Sequence, residues 1–595
     1  MVKRLQQLTE QANAEQHPYL NEQLVQAYRR MLPVVMQGRG GLRLRVEYGQ
    51  QLLQAGRTGE ALLAWDEADR FASAQGIRYS SHELRAGKFA RAVACLRLGE
   101  QENCLINHTT ESCLLPIQGE GVHRRPEGSR KAVELFTDLM RGKPGDLSSR
   151  WLLNIAHMTL GEYPHAVPAE WLIPPEVFAS EHDFGKFPDV AGGLGLDVDE
   201  LAGGVVIEDF DGDHNLDIMV STWRLGGQLR YFRNDGHGRF VEHTRKAGLT
   251  GITGGLNMLQ TDYNNDGLPD VFILRGAWLG AEGRHPNSLL RNHGNGVFED
   301  VTETAGLLSF NPTQTAAWFD FDNDGWLDVF IGNESFGRTQ FPCELYRNNR
   351  DGTFTEIAAA TGLAVVDFIK GAVSEDFNHD GRPDLFLSSR NGTNRLLRND
   401  GPTPGGGWKF TDVTAAAGIE PTRGSFPTWF FDYDNDGWPD IFVAGYAARD
   451  VGDIAADYLG LPHPAERARL YRNNGDGTFA DVTKQTGLYR VIHGMGCNFG
   501  DLDNDGWLDF YVGTGDPDFT TLIPNRMFRN DGGRGFQEVT SSGGFGPLQK
   551  GHSIGFADLD NDGDQDVYAN MGGAYSGDNY RNALFLNPGH GNHWL

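Results

Sequence analysis

Cysteine, long apolar runs and positive charge are all scarce in this sequence. Five cysteines in 595 residues, Cys95, Cys104, Cys113, Cys343 and Cys497, are too few and too scattered to build a disulfide scaffold. They leave room for a single bridge among the first three. No stretch approaches the roughly eighteen consecutive apolar residues of a membrane-spanning helix. The opening MVKRLQQLTEQANAEQ has a charged start but no apolar core, so neither a transmembrane segment nor a signal peptide is read. Against 80 Asp and Glu stand only 52 Lys and Arg, a net charge of -28, which excludes nucleic acid and anionic membrane surfaces as main partners. The P-loop, H-E-x-x-H and G-x-S-x-G patterns are also missing. An enzyme that gathers its site from separate strands would still escape that test.

Glycine is plentiful, at 78 residues, and 11% of the chain is aromatic. The combination points to many tight turns between short strands rather than to disorder. A chain this long exceeds one core, so two or more domains are expected.

Residues 1–180 carry apolar side chains at three- and four-residue spacing, as in LRLRVEYGQQLLQAGRTGEALLAWDEADRFA, which predicts paired helices. Tyr48, the small residues of AGRTGEA and Trp65 fall near the packing positions of a tetratricopeptide unit, and SRWLLNIAHMTLGEYPHAV repeats the order more loosely. The expectation is a helical-repeat domain over 1–180, with an irregular helical cap as its competitor.

From residue 184 the texture changes, and one acidic stretch recurs seven times: DFDGDHNLD, DYNNDGLPD, DFDNDGWLD, DFNHDGRPD, DYDNDGWPD, DLDNDGWLD and DLDNDGDQD, starting at 209, 262, 320, 376, 432, 501 and 558. The starts are 53 to 69 residues apart, a period suited to one four-stranded sheet per repeat. Between them lie segments such as RNDGHGRFVEHTRKAGL and RNNGDGTFADVTKQTGL, whose Asn-Gly and Asp-Gly steps mark hairpin turns. The seventh repeat lacks its last strand, while FGKFPDVAGGLGL at 184–196 stands alone before the first. The expected fold is therefore a seven-bladed all-β propeller over 184–595, its last blade completed by 184–196.

Each loop follows D-x-[DN]-x-[DN]-G-x-x-D and offers oxygen ligands at positions 1, 3, 5 and 9, with a backbone carbonyl at 7. The candidate ligands are Asp209, Asp211, Asp213 and Asp217; Asp262, Asn264, Asp266 and Asp270; Asp320, Asp322, Asp324 and Asp328; and Asp376, Asn378, Asp380 and Asp384. The remaining three sets are Asp432, Asp434, Asp436 and Asp440; Asp501, Asp503, Asp505 and Asp509; and Asp558, Asp560, Asp562 and Asp566. Like charges this close repel unless something positive sits among them. Hard oxygen donors without His or Cys suit calcium, up to seven ions. The glycine at position 6 supplies a left-handed turn. An EF-hand would need Glu at position 12, where Val220, Ile273, Ile331, Leu387, Val443, Val512 and Ala569 stand instead, so EF-hand helices are rejected. His214 replaces the turn glycine in the first loop, and Asn264 and Asn378 replace a carboxylate in the second and fourth; these three are expected to bind more weakly. The competing reading is that Asp, Asn and Gly merely build turns.

These repeats resemble the FG-GAP or VCBS-type calcium-loop blades of integrin α-chain propellers. Their order behind a helical region, with TQTAAWFDFDNDGWLDVF, NFGDLDNDGWLDFYVGTG and the terminal NPGHGNHWL, is similar to the bacterial relatives of cartilage acidic protein, the ASPIC/UnbV group. The resemblance implies the propeller and its calcium loops, and a further C-terminal β segment after Asn-His-Trp-Leu. It implies little about activity.

If the acidic loops share one rim, the other face presents Asn257, Gln314, Lys370, Thr428, His493, Lys550 and His552 around the axis, with Arg275, Trp278, Glu334, Arg390, Tyr446 and Asp516 farther out. Polar groups converging on a propeller axis can form a ligand site or line a wet channel. A second unusual stretch puts Cys104, His108, Cys113 and His123 within twenty residues, matching no standard zinc spacing; a metal site and a Cys104–Cys113 disulfide are both open. Two functions follow. One is a calcium-stabilised binding scaffold outside the cytoplasm, with a protein or carbohydrate partner and with the helical domain and the variable face as its surfaces. The alternative is an enzyme or redox-metal protein using axial His493, Lys550 and His552.

Overall fold

The second strand of every repeat is apolar toward both sides, and this decides the architecture. In Asp328–Asn333, Val329 and Ile331 pack into a cluster shared with the preceding repeat, while Phe330 packs into one shared with the next. Successive side chains of a strand point to opposite faces, so each sheet must be covered on both sides by another sheet. The computed structural model, which describes residues 1–13, 17–34 and 37–589, meets this demand with a seven-bladed β-propeller behind an N-terminal helical region. The Asn-His-Trp-Leu stretch lies outside the described residues.

Blades 1 to 6 are four-stranded antiparallel sheets in chain order, spanning 205–242, 257–300, 313–356, 369–412, 425–481 and 494–538. Blade 7 contributes Gly551–Ala557, Asp566–Met571 and Ala583–Phe585. Seven hydrophobic clusters lie one between each pair of neighbours, the last joining blade 7 to blade 1 through Leu559, Tyr568, Val205 and Ile218. The core is thus a ring of interfaces. Beside Ala583–Phe585, Asp189 bridges Phe585, Val190 N donates to Leu584 O at 2.8 Å, and Leu586 N donates to Pro188 O at 3.0 Å.

The helical region comprises Val2–Gln11, Asn21–Met31, Gly38–Gln54, Thr58–Ala74, Ser81–Glu100, Glu127–Gly142 and Leu147–Thr159. Gly38–Gln54 and Thr58–Ala74 pair closely because Gly49 leaves room for the Trp65 indole, which donates to Val46 O at 3.1 Å. A Cβ at residue 49 would lie 2.3 Å from the Trp65 nitrogen. Paired helices are therefore present, but Ser81–Glu100 runs into a π-helical turn, Gln101–Leu105, and a largely irregular stretch to residue 126 rather than into another turn of fixed length.

The helices sit on the propeller. Gly577 N donates to Gln54 O at 2.8 Å, Arg97 donates to Gly577 O at 2.9 Å, Trp151 donates to Leu522 O at 2.8 Å, and Leu115 N donates to Gly546 O at 2.9 Å. The propeller side of these contacts lies after the second strands of blades 6 and 7 or before the first strand of blade 7, at the strand ends opposite the acidic loops. This corrects the expectation of an open variable face: its axial part is roofed by the protein's own helices.

Candidate metal-binding loops and the axial face

Every acidic loop joins the first and second strands of its blade, so all seven share one rim. Blade 5 shows how the chain builds one. Asp432 accepts from Asp436 N at 3.0 Å and Gly437 N at 2.7 Å, Asp436 accepts from Trp438 N at 3.0 Å, and Asp440 accepts from Asn473 N at 2.8 Å. These bonds hold the backbone in two left-handed steps, Asn435 at φ 51° and Gly437 at φ 87°. The glycine at position 6 was legible in sequence; the left-handed Asn at position 4 was not singled out, although Asn tolerates that conformation better than most residues. In the first loop His214 takes the glycine's place at φ 69°.

Position 1 serves the backbone and also converges with positions 3 and 9 in four loops, and with positions 3 and 5 in the seventh. Three ligand atoms lie within 4.8 Å of one another in Asp209/Asp211/Asp217, Asp320/Asp322/Asp328, Asp432/Asp434/Asp440, Asp501/Asp503/Asp509 and Asp558/Asp560/Asp562. The loops carrying Asn264 and Asn378 gather no such trio of acids among the described residues, whereas the first loop does so despite His214. Asp213, Asp324, Asp436, Asp505 and Asp566 stand outside these trios, as do all four predicted ligands of the second loop (Asp262, Asn264, Asp266, Asp270) and of the fourth (Asp376, Asn378, Asp380, Asp384).

Sequence reasoning missed that part of the balancing charge is supplied by the protein. An arginine on the third strand of five blades reaches back to the loop: Arg233 to Asp211 and Asp213, Arg291 to Asp266, Arg347 to Asp322, Arg472 to Asp434 and Asp436, and Arg529 to Asp503 and Asp505. Blade 7 has Leu586 at that place, and in blade 4 Arg398 turns to Asp400. Even so, Asp211 Oδ1, Asp322 Oδ1 and Asp434 Oδ1 are buried without a hydrogen-bond partner. Such oxygens are costly unless a donor or a cation meets them. Position 9 is buried in every loop. Burial, with Asp434 and Asp436 adding like charge, pushes Asp440 up to about 8; Asp328, Asp384 and Asp566 reach a similar value. A bound divalent cation would keep these carboxylates ionised. The residues present fit a hard cation.

The same third strands carry a second function that the Arg-Asn-x-Gly pattern concealed. In each blade the Asn side chain donates to the position-2 carbonyl of the preceding blade's loop: Asn292 to Phe210 O, Asn348 to Tyr263 O, Asn399 to Phe321 O, Asn473 to Phe377 O, Asn530 to Tyr433 O and Asn587 to Leu502 O. Asn234 of blade 1 donates to Leu559 O of blade 7 at 3.0 Å. These pegs close the circle.

On the axial face each basic group has its own acid or none. Lys370 pairs with Glu334 and donates to Gln314 Oε1 at 2.6 Å, its ammonium 3.3 Å from the Trp278 ring centroid. Burial pulls Lys370 down to about 7 and raises Glu334. Lys550 bonds Asp578 at 2.7 Å, and His493 bonds Asp516 at 3.1 Å while stacking on Tyr446. Burial holds His552 neutral, down to about 3. Lys370, His493, Lys550 and His552 are buried, not spread around a wet channel. The three proposed catalytic residues do not hydrogen-bond one another. The cavity beside them, about 40 Å³, is lined by Tyr19 of the helical region together with Trp223, Trp278, Tyr446, Lys550 and His552.

The other cluster is only partly assembled. Cys104 Sγ lies 2.9 Å from Cys113 Sγ and 3.5 Å from His123 Nε2, whereas the His108 ring bonds the backbone carbonyl of Cys104. Among the described residues these groups form no three-ligand set.

Comparison with known proteins agrees with this geometry. Residues 209–273, 262–331, 376–443 and 452–512 match the FG-GAP-like repeat. The chain is therefore a β-propeller that carries FG-GAP-like repeats. Within that class it is a homologue of cartilage acidic protein 1: 27% identical to the Xenopus tropicalis protein over 37% of this chain and 31% of the relative. It is 29% identical to the Mus musculus protein over 40% and 36%, and 24% identical to the Homo sapiens protein over 52% and 44%. The matched region spans less than half the length of these relatives.

Proposed function

We propose that the protein is a calcium-stabilised interaction scaffold that works outside the cytoplasm and binds a protein or carbohydrate partner. The observation that carries the reading is the set of five convergent carboxylate trios, three of them with a buried, unpartnered oxygen on the aspartate at loop position 3. Calcium would be held by Asp432, Asp434 and Asp440 and by the corresponding groups of the other loops, tying the ends of the first and second strands together. Loops of this kind need free calcium of roughly 10⁻⁴–10⁻³ M, a level found outside cells. No helix among the described residues is long and apolar enough to cross a membrane.

The axial alternative is the weaker reading. A small-molecule site needs about 300–1,000 Å³, and here the cavity is about 40 Å³ with its basic groups committed to Glu334, Asp516 and Asp578. A macromolecular partner therefore meets the outer surface of the helical layer and the blade edges, not the axis. Calcium titration of metal-stripped protein, followed by thermal melting, tests the proposal. A rise in melting temperature that saturates at sub-millimolar to millimolar calcium is expected. An identical melt in calcium and in EGTA would sink the calcium claim.

A further inference from the structure

We infer that Cys104 and Cys113 are a disulfide-forming pair that fastens the helical layer to blade 7 in oxidising surroundings. The two residues belong to different structural units. Cys104 lies in the π-helical turn that ends Ser81–Glu100, the helix whose Arg97 ion-pairs with Asp578 of the propeller. Cys113 belongs to a short segment laid along blade 7: Leu548 N donates to Cys113 O at 2.9 Å, Leu115 N donates to Gly546 O at 2.9 Å, and Leu114 bridges Pro547. Between them the chain loops out through 106–112. The two sulfurs meet beneath that loop.

Four features suit them to bond formation. Their sulfurs are 2.9 Å apart, so the covalent length of about 2.05 Å needs a movement under about 1 Å. Cys113 sits at φ 57°, a left-handed conformation that a residue with a Cβ adopts only where its surroundings dictate it. A ring nitrogen of His123 stands 3.5 Å from Cys104 Sγ and holds the thiol in place beside its partner. A small surface cleft lined by Asn103, Asn107, Thr109 and Ser112 reaches Cys104. All five cysteines are free thiols in this structure, and Cys95, Cys104, Cys113 and Cys343 are buried.

The chemistry balances with a disulfide oxidant such as oxidised glutathione. One protein thiolate attacks the glutathione disulfide and releases one glutathione thiolate. The second protein thiol, its proton lost to solvent, then attacks the mixed disulfide and releases the other. The net change is two protein thiols and one glutathione disulfide to one protein disulfide and two glutathione thiols. The hydrogen bond with Cys113, and then burial, raise Cys104 well above the ordinary thiol range, so exchange needs transient opening of 106–112 and is slow at neutral pH. These are the properties of a structural bond made once, not of a rapid sensor.

The test uses the full-length, calcium-loaded protein held in oxidised or in reduced glutathione, alkylated without reduction and analysed by mass spectrometry. The expected result is loss of two hydrogens from the intact mass in the oxidised sample and a digest peptide linking Cys104 to Cys113. The oxidised form should melt about 2–5 °C higher and show slower amide exchange over 113–115. The Cys104→Ala/Cys113→Ala protein should lose the redox-dependent difference. If that variant fails to fold, the wild-type measurements decide alone. All cysteines remaining alkylatable in the folded protein, a linkage to Cys95, Cys343 or Cys497, or a Cys104–Cys113 bond that leaves exchange at 113–115 unchanged would overturn the inference.

Discussion

Asn473 shows how much of the propeller hangs on single side chains. Its amide donates to Phe377 O of the preceding blade and to Pro439 O of its own loop, and its Oδ1 accepts from Gly475 N. Replacing it with alanine leaves buried carbonyls unmet, a loss of about 1–3 kcal/mol. Urea denaturation in saturating calcium is expected to show a lower midpoint for Asn473→Ala, while Asn474→Ala next door, whose amide bonds only Thr478 at an exposed site, should fall within about 0.5 kcal/mol of wild type. An equal effect from both would remove the peg from the explanation. At this scale the sequence was legible wherever a residue's role is local. Asp434 and Gly437 could be assigned because ligand position and backbone freedom follow from spacing. Asn473 could not, because its acceptor lies 96 residues away and its own neighbourhood reads as an ordinary hairpin. The repetition of Arg-Asn on third strands was the available signal.

At the scale of elements, the acidic loop and the third strand form one electrostatic unit. Arg472 holds one oxygen of Asp434, and the other is buried without a partner, where the proposed calcium would meet it. Asp434→Asn should therefore reduce calcium stoichiometry by one ion without unfolding blade 5, as read by calorimetric titration and near-ultraviolet circular dichroism. An unchanged stoichiometry would return this loop to the role of a simple turn. The N-terminal helix Val2–Gln11 carries a different sensitivity. His17 and His285 line a cavity with Leu5, Leu8 and Arg275 where that helix meets the propeller. Burial pulls both histidines down to about 4, and His285 is also opposed by His17 and Arg275. Between about pH 6.5 and 4 the unfolded chain binds protons that the folded one refuses, so stability is retained above that window and lost as pH falls through it. Calcium-saturated protein should melt lower at about pH 4.5 than at about pH 7.5, and a His17→Gln/His285→Gln variant should lose part of that difference. A variant with the wild-type pH dependence would exclude these two groups. Helix pairing was legible from apolar spacing; the docking of the helices on the axial face was not, because it depends on surfaces brought together from distant parts of the chain.

For the whole molecule, the joint between blades 7 and 1 differs from the other six. Elsewhere the chain runs directly from one blade to the next; here Asp189 and Val190 lie beside Ala583–Phe585, Asn234 reaches Leu559 O, and Leu559, Tyr568, Val205 and Ile218 pack together. Residues 184–196 are not a full strand as expected, since Ala191–Leu194 is helical and only Asp189 bridges Phe585; we propose that the extended part of this segment around 188–190 still closes blade 7 as its outer strand. Val190→Pro removes the donor to Leu584 O and should speed amide exchange at 583–586 and lower the melting temperature by several degrees. Unaltered exchange there would show that the circle closes without this strand.

The circle of pegs has a mechanical consequence. Six joints share their load between covalent chain and packing, whereas the seventh is a zip of backbone bonds, one peg and a greasy seam. A pull that draws Val190 away from Leu586 peels that zip one bond at a time, whereas a pull along the strands must shear its bonds together. Tension applied in the first direction would open the hoop at a single known place and leave the other six joints still packed, and the protein would extend from its seam before any blade unravels.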